Sequence, residues 1–305
     1  MPTSQPYYLN GPSLGSATSI FLDVDLTTCA PDGYYSDGVI VRQQVSCVLL
    51  PQQTCPSCAI NCDILPFSVE TKGYFEVSVD MGTATGAIPI TFNPFGTPVG
   101  FSAEFNSTLY NIFSSPVYGL QQRAAGLPIY LGDPVASGCD PVSISPITAD
   151  KYYFDGTYFV PTTTTQVFSV TALEVTGDDS PGDCVIVIPK TTASPSIVTV
   201  KVYAPCDTSS FNLNIECPYL LPAFESSIRK DSFVEICAVE TSETHYVEHV
   251  TGSGLVLGLY DWVFSDQNGE FKLAKGYYKS PTNCPPGYNV FEIDNGIIVN
   301  FYLCP

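Results

Sequence analysis

Three observations predict an all-β fold built of several small antiparallel β-sandwich or Ig-like modules in series, with little helix. The residue supply is one: 19 Tyr, 18 Phe, 23 Gly and 26 Pro stand against 2 Met and 1 Trp in 305 residues. Aromatic and β-branched side chains suit a pleated, half-buried surface, and strong helix formers are scarce. Short apolar runs recurring at regular spacing with turn residues between them are the second, the pattern of sandwiches. The third is an internal repeat, in which IFLDVDLTTCAPDGYY (20–35) aligns without a gap on VFSDQNGEFKLAKGYY (263–278).

In chain order, residues 1–65 form a cysteine-rich β module holding the first copy of the repeat. Its identities with the second copy are Phe21/Phe264, Asp23/Asp266, Gly33/Gly276, Tyr34/Tyr277 and Tyr35/Tyr278. The physical reading is an aromatic strand end, an Asp-initiated turn, a variable loop, and a Gly turn into a Tyr-Tyr strand. A looser third copy is YLGD (130–133) followed by DKYYFDG (150–156). Residues 66–148 read as a first sandwich, with strands YFEVSVDM (74–81) and AIPITF (87–92) and a helix at Ala103–Phe113. Residues 149–225 read as a second, with QVFSVTALEV (166–175), CVIVIP (184–189), IVTVKVYA (197–204) and FNLNIEC (211–217). Pro189–Pro195 looks like a hairpin loop, and CPYLLPAF (217–224) like a hinge into a C-terminal β module, 226–305, with a helix near Ser226–Val239.

Charge narrows the function. Eleven Lys+Arg against 30 Asp+Glu give a formal net charge of −19. Such a surface repels phosphate backbones and anionic lipid, so neither nucleic acid nor membrane insertion is expected. No basic residue precedes Arg42, which is not the pattern of a secretory signal. The most apolar stretch, Gly254–Phe264, is too short to span a bilayer and is broken by Gly258 and Asp261. Twelve cysteines sit oddly with a chain made and kept in a cytoplasm. A particle assembled inside a cell and released by lysis would reconcile the two, as would non-classical export or metal ligation.

Cys47, Cys55, Cys58 and Cys62 pack four thiols into one short segment. Two readings stay open: a zinc site around the Cys55–Cys58 half-site, with Cys29 as an alternative ligand to Cys47, or a disulfide-stapled loop. A thioredoxin-like redox role lacks its βαβ context. His245-Tyr-Val-Glu-His249 formally matches HxxEH, in which two histidines on one helical face clasp zinc with Glu248 as base. The segment is β-branched and aromatic, so the expectation is a strand with both histidines on its solvent face. Asp178, Asp179 and Asp183 could hold Ca²⁺ with hard oxygens, although acidic Gly/Pro turns are usually plain hairpin loops. Asn106-Ser-Thr is a formal glycosylation sequon. No GxSxG, phosphate loop or dinucleotide fingerprint is present, so catalysis has no positive sign and no cofactor is expected beyond a structural Zn²⁺ or Ca²⁺. Tyr34, Tyr152 and Tyr277 are the candidate contact residues. Neighbouring residues of a strand face opposite ways, so one Tyr of each pair belongs to the core.

Several stretches resemble virion proteins of tailed bacteriophages, particularly those infecting Bacteroidota. They are YYLNGPSLGSATSIFLDVDLTTCAPDGYYSDGVIVRQQVSCVLLP at the N-terminus, 86–120, 185–224 and the tail 263–305. The resemblance implies a structural component of a phage particle of the β-sandwich tail or fibre type, often with a surface-binding role, and carries over no active-site residues. The expected function is therefore a non-enzymatic tail, baseplate or fibre subunit of the virion. Its expected partners are other virion proteins, further copies of itself (a trimer, by analogy with fibres) and a host-surface glycan or protein. The alternatives are a capsid decoration or head-fibre protein, and a surface-acting hydrolase or HxxEH metallopeptidase.

Overall fold

Strands dominate in a computed structural model, which describes residues 7–36, 40–51, 53–54, 60–62, 67–116, 121–122, 129–132, 138–140, 144, 146–154, 158–169, 175–176 and 183–305. The N-terminal unit holds β1 (Tyr8–Leu9), β2 (Ile20–Phe21), β3 (Gly33–Ser36), β4 (Ile40–Val45), β5 (Val48–Leu49) and β6 (Gln53–Thr54). Here β1 pairs with β2, β4 lies between β3 and β5, and β6 adds to β4.

A two-sheet sandwich follows. Its strands are β7 (Ile60–Asn61), β8 (Phe67–Glu70), β9 (Gly73–Asp80), β10 (Gly86–Asn93), β11 (Val99–Phe105), β12 (Thr108–Tyr110), β13 (Ile112–Phe113), β14 (Gln121–Gln122) and β15 (Ile129–Leu131). They continue with β16 (Ile147–Phe154), β17 (Phe159–Phe168), β18 (Val175–Thr176), β19 (Cys184–Lys190), β20 (Ile197–Ala204) and β21 (Ser210–Ile215). One sheet runs β19-β10-β21-β8 and the other β17-β16-β9-β20-β11-β15-β18. Strands from 66–148 and from 149–225 enter both sheets: β10 lies between β19 and β21, and β9 between β16 and β20. The division expected near 148 is thus no boundary between sheets. Long-range pairing joins the two segments into one core around Phe75, Val77, Ile90, Phe92, Phe101, Ile188, Val200 and Phe211.

The helix expected at Ala103–Phe113 is instead the end of β11 with β12 and β13. Asn106 and Ser107 both take positive φ (50° and 60°) between Phe105 and its partner Thr108, the geometry of a two-residue hairpin. The sequon therefore sits in a β-turn. A single helical turn, α1 (Phe233–Ile236), falls inside the second expected helix.

The C-terminal unit comprises β22 (Ala223–Ser227), β23 (Thr241–Glu248), β24 (Trp262–Phe264), β25 (Gly276–Lys279), β26 (Val290–Asp294) and β27 (Ile297–Tyr302), in the order β22-β23-β24-β27-β26-β25. The sheet curls without closing into a barrel. Beyond β22, Lys230 exchanges one pair of main-chain hydrogen bonds with Tyr277 of β25 (3.0 and 2.8 Å). Trp262, Phe264 and Ile297 seat this unit on Ala87, Val185 and Val187, the outer face of β10 and β19. Both faces of those two strands are therefore covered, which explains the unbroken apolar run CVIVIP.

The two terminal units repeat each other in detail. The Asp23 carboxylate accepts the N–H groups of Thr27 and Thr28 (2.9 and 2.6 Å), and that of Asp266 accepts those of Glu270 and Phe271 (3.1 and 2.6 Å). Phe21 bridges Cys29 as Phe264 bridges Lys272. Tyr35 and Tyr278 donate their hydroxyls to the carbonyls of Pro31 and Ala274. The β4–β5 turn, Ser46-Cys47, matches the β26–β27 turn, Asn295-Gly296, with positive φ at all four residues. The registers Tyr8↔Phe21 and Tyr246↔Phe264 also correspond. The looser third copy is not built this way: Tyr130 pairs in β15 with β11 and β18, while 150–154 pair with β17 and β9.

Among the described residues four disulfides form, each within one unit: Cys29–Cys47, Cys62–Cys217, Cys139–Cys206 and Cys237–Cys304, while Cys184 and Cys284 are buried outside these bridges. The widest, Cys62–Cys217, spans 155 residues. In a chain-entropy account, closing so long a loop lowers the unfolded state's entropy by the equivalent of about 5 kcal/mol.

Candidate functional site

Among the described residues, a site with chemistry to offer a ligand lies at one mouth of the sandwich, where β8 at the edge of one sheet faces the β16–β17 hairpin at the edge of the other. Ser68, Val69, Glu70, Thr71, Phe75, Tyr152, Phe154, Tyr158 and Phe159 line a cleft of about 270 Å³. Its wall is a linked aromatic set. Tyr152 stacks on Phe75 with centroids 4.7 Å apart, and Phe159 meets Phe75 edge-on at 5.1 Å and lies tilted to Phe154 at 5.2 Å. Gly73 makes room for the stack, since a Cβ there would fall 2.7 Å from the Tyr152 ring. Tyr158 stands on the rim, 72% exposed. The hydroxyls of Ser68 and Thr71 and the Glu70 carboxylate supply the polar side. Glu70 also lines a neighbouring groove with Asp207, Thr208, Ser209 and Ser210. Aromatic faces beside hydroxyls and a carboxylate suit a polar ligand with an apolar face, because the rings pack on C–H groups while the oxygens fix orientation.

The three aromatic candidates from the sequence are not brought together. Tyr152 is in the cleft. Tyr34, on β3, is 69% exposed, whereas Tyr277, its counterpart on β25, is half-buried edge-on to Tyr302 at 5.7 Å. Their neighbours turn inward: Tyr153 and Tyr278 are buried, and Tyr35 packs against the N-terminal core. Tyr158, Phe159 and Glu70 escaped the sequence reading, because an aromatic strand end looks the same whether it faces a core or a cleft.

Of the four clustered thiols, Cys47 is bonded to Cys29 and Cys62 to Cys217, each to a partner outside the cluster; Cys55 and Cys58 lie outside the described residues. A half-cystine has no thiolate to offer a metal. Of the acidic turn, 177–182 lie outside the described residues, and Asp183 accepts the Asn93 amide at 3.0 Å. No group of three His, Cys, Asp or Glu arranged to hold a metal occurs among the described residues.

The HxxEH histidines depart from the expected solvent face. His245 is buried because the inward side of β23 packs on Phe224 and Tyr278, and its Nδ1 lies 2.5 Å from Ser226 Oγ. Burial pushes its pKa down. His249 lies beyond the strand end, with Nδ1 2.7 Å from Asp261 Oδ2 and Nε2 3.2 Å from the Gly254 carbonyl. Both partners are acceptors, an arrangement that favours the doubly protonated ring, and the hydrogen bond to Asp261 raises the histidine's pKa. Asp261, fully buried, also accepts the N–H groups of Val250, Thr251, Gly252 and Gly258 and so organises the whole 249–261 loop. Between the histidines, Glu248 takes the Tyr219 hydroxyl, and burial pushes its pKa up to about 7 despite that bond. Glu248 links the C-terminal unit to Tyr219, which pairs with Ala87 of the sandwich, while both histidines are used inside the unit itself.

Among the described residues, no helix is long and apolar enough to cross a membrane. Comparison with protein-family models, curated proteins and solved structures finds no match for this chain.

Proposed function

We propose that this chain is a non-enzymatic structural protein of a bacteriophage particle, a tail, baseplate or fibre subunit that contributes to attachment at the host surface. The observation that carries the attachment reading is the aromatic cleft at the sandwich mouth, open to solvent and edged by hydroxyls. The particle reading rests on the sequence resemblance and agrees with all-β units stapled by disulfides, which suit a protein that must persist outside a cell. The ligand class is a surface glycan. Glu70 and Asp207 along the grooves, within a chain of net charge −19, favour neutral or amino sugars over uronic and sialic acids.

Immunogold labelling of purified particles tests the location: label on the tail or its fibres supports the reading, label over the head moves it to a decoration protein, and unlabelled particles remove it. Titration with neutral, amino and acidic oligosaccharides tests the ligand. Binding of a neutral or amino sugar that is lost in Tyr158→Ala supports the cleft, and binding unchanged by that substitution excludes it.

A further inference from the structure

The outer face of the β19-β10-β21-β8 sheet is divided. One end, around Ala87, Val185 and Val187, is apolar and carries the C-terminal unit. The other end is polar and open among the described residues. There Phe92, Phe211 and Leu213 turn into the core, so their neighbours along β10 and β21 face out, and those neighbours are Thr91, Asn93, Asn212 and Asn214. The registers Ser68↔Asn212 and Asn212↔Asn93 align three outward side chains across the strands. The Asn93 amide extends that row by donating to Asp183 at 3.0 Å, just before β19. These residues floor a groove of about 530 Å³. Ser68 lines both this groove and the aromatic cleft, so the two meet across β8.

We propose that the cleft is one end of a longer groove whose ligand is an internal stretch of an extended polysaccharide, about five sugar units lying across the strands. Neighbouring strands stand about 4.8 Å apart, roughly the step of one sugar unit, so the row offers a fresh polar side chain at each step. Amides and hydroxyls donate and accept alike, as sugar hydroxyls do. The Asn212 amide is exposed and has no partner among the described residues. Asn93, in contrast, is held at both ends: besides giving to Asp183 it accepts the Phe95 N–H at 2.9 Å, and so it keeps Asp183 in the row. A protein partner is poorly served here, because interface centres are built on large apolar and aromatic anchors and this floor exposes none. Glu70 and Asp183, with no lysine or arginine among the described lining of either groove, disfavour a polyanionic chain. The proposal rests on the attachment reading and narrows it, from a surface glycan to a polymer gripped along its length.

Calorimetric titration of the full, oxidised chain with the disaccharide and pentasaccharide of β-1,4-linked glucose, mannose and N-acetylglucosamine tests it. In at least one series the pentasaccharide is expected to bind about tenfold or more tightly than the disaccharide, since each added unit meets a further polar side chain. Asn212→Ala should weaken the pentasaccharide about fivefold and leave the disaccharide unchanged, whereas Tyr158→Ala should weaken both. Asn212 is exposed, so an unaltered unfolding temperature is expected for its variant. Thr91→Val, which keeps the shape and removes the hydroxyl, repeats the test one row along. A pentasaccharide no tighter than its disaccharide, or one bound equally well after Asn212→Ala and Thr91→Val, overturns the long groove and leaves the attachment cleft standing. No binding in any of the three series overturns both.

Discussion

Lys272 packs across Gly296 at the positions where the N-terminal unit joins Cys29 to Cys47. A Cβ at Gly296 would sit 2.7 Å from that of Lys272, so the C-terminal unit already brings these two points of the scaffold together. The lysine also places its ammonium 4.1 Å from the Trp262 ring centroid, and burial draws its pKa down to about 8. One copy uses a covalent staple and the other a cation over a ring. The cores differ likewise, with Arg42 where the C-terminal unit has Phe291 stacked on Tyr278.

Restoring the staple is the direct check. Gly296→Cys alone should destabilise the protein by crowding Lys272, whereas the double substitution Lys272→Cys/Gly296→Cys should form a cross-link and recover stability. A loop of this size is worth about 3 kcal/mol. Peptide mapping under non-reducing conditions should find positions 272 and 296 in one linked pair, and thermal unfolding should rank the double variant above the single one.

Trp262 holds the C-terminal unit to the sandwich. It is almost fully buried, and its indole N–H donates to the Val185 carbonyl at 3.1 Å. Trp262→Ala should cost about 3–5 kcal/mol. Trp262→Phe should cost less, losing the hydrogen bond but keeping most of the packing. Denaturant midpoints for the three proteins give the comparison.

The attachment of the same unit should weaken as pH rises. Glu248 has a folded pKa of about 7, above its ordinary value of 4.5, so its stabilising protonated form is complete below the lower figure and lost by the upper. A shift of this size corresponds to at most about 3 kcal/mol. His249, raised above 6.5 by Asp261, adds a loss in the same direction at higher pH. Between about pH 4.5 and 7 Glu248 draws the unfolding free energy down, against the rise that the lowered pKa of buried His245 gives up to about 6.5, so Glu248→Gln should remove the downward part and leave both histidines' contributions. Denaturant titrations across this range read both effects.

Within the cleft, two tyrosines should separate stability from binding. Tyr152 is half-buried and stacked on Phe75, so Tyr152→Ala should cost about 2–4 kcal/mol. Tyr158 is largely exposed, and Tyr158→Ala should change stability by less than about 0.5 kcal/mol. Calorimetry on both, set beside the glycan titrations, distinguishes a binding wall from a packed core.

The β class and the terminal repeat were legible because their signals are local: an Asp that caps its own turn, a Gly entering a Tyr-Tyr strand, and regular turn spacing. What the residues could not declare was long-range. Whether β9 pairs with β16 and β20 is decided by the shared core, and local patterning is silent about it. Residues 103–113 carry Phe105, Leu109 and Phe113 at helix-like spacing, yet Asn106 and Ser107 turn the chain back on itself. His245 reads as a surface residue until Phe224 and Tyr278 cover it. The cleft was half visible, through Tyr152 alone, because its other wall comes from a strand far away in sequence.

The Cys62–Cys217 bridge has a mechanical meaning. It joins the chain just before β8 to the chain just after β21, so those strands lie inside a covalently closed loop. A pull between the N-terminal and C-terminal units passes across the sulfur–sulfur bond and bypasses the strands in between. Most of their hydrogen bonds lie off that path, and under load the sandwich would ride as cargo on a covalent strut that keeps its cleft in shape.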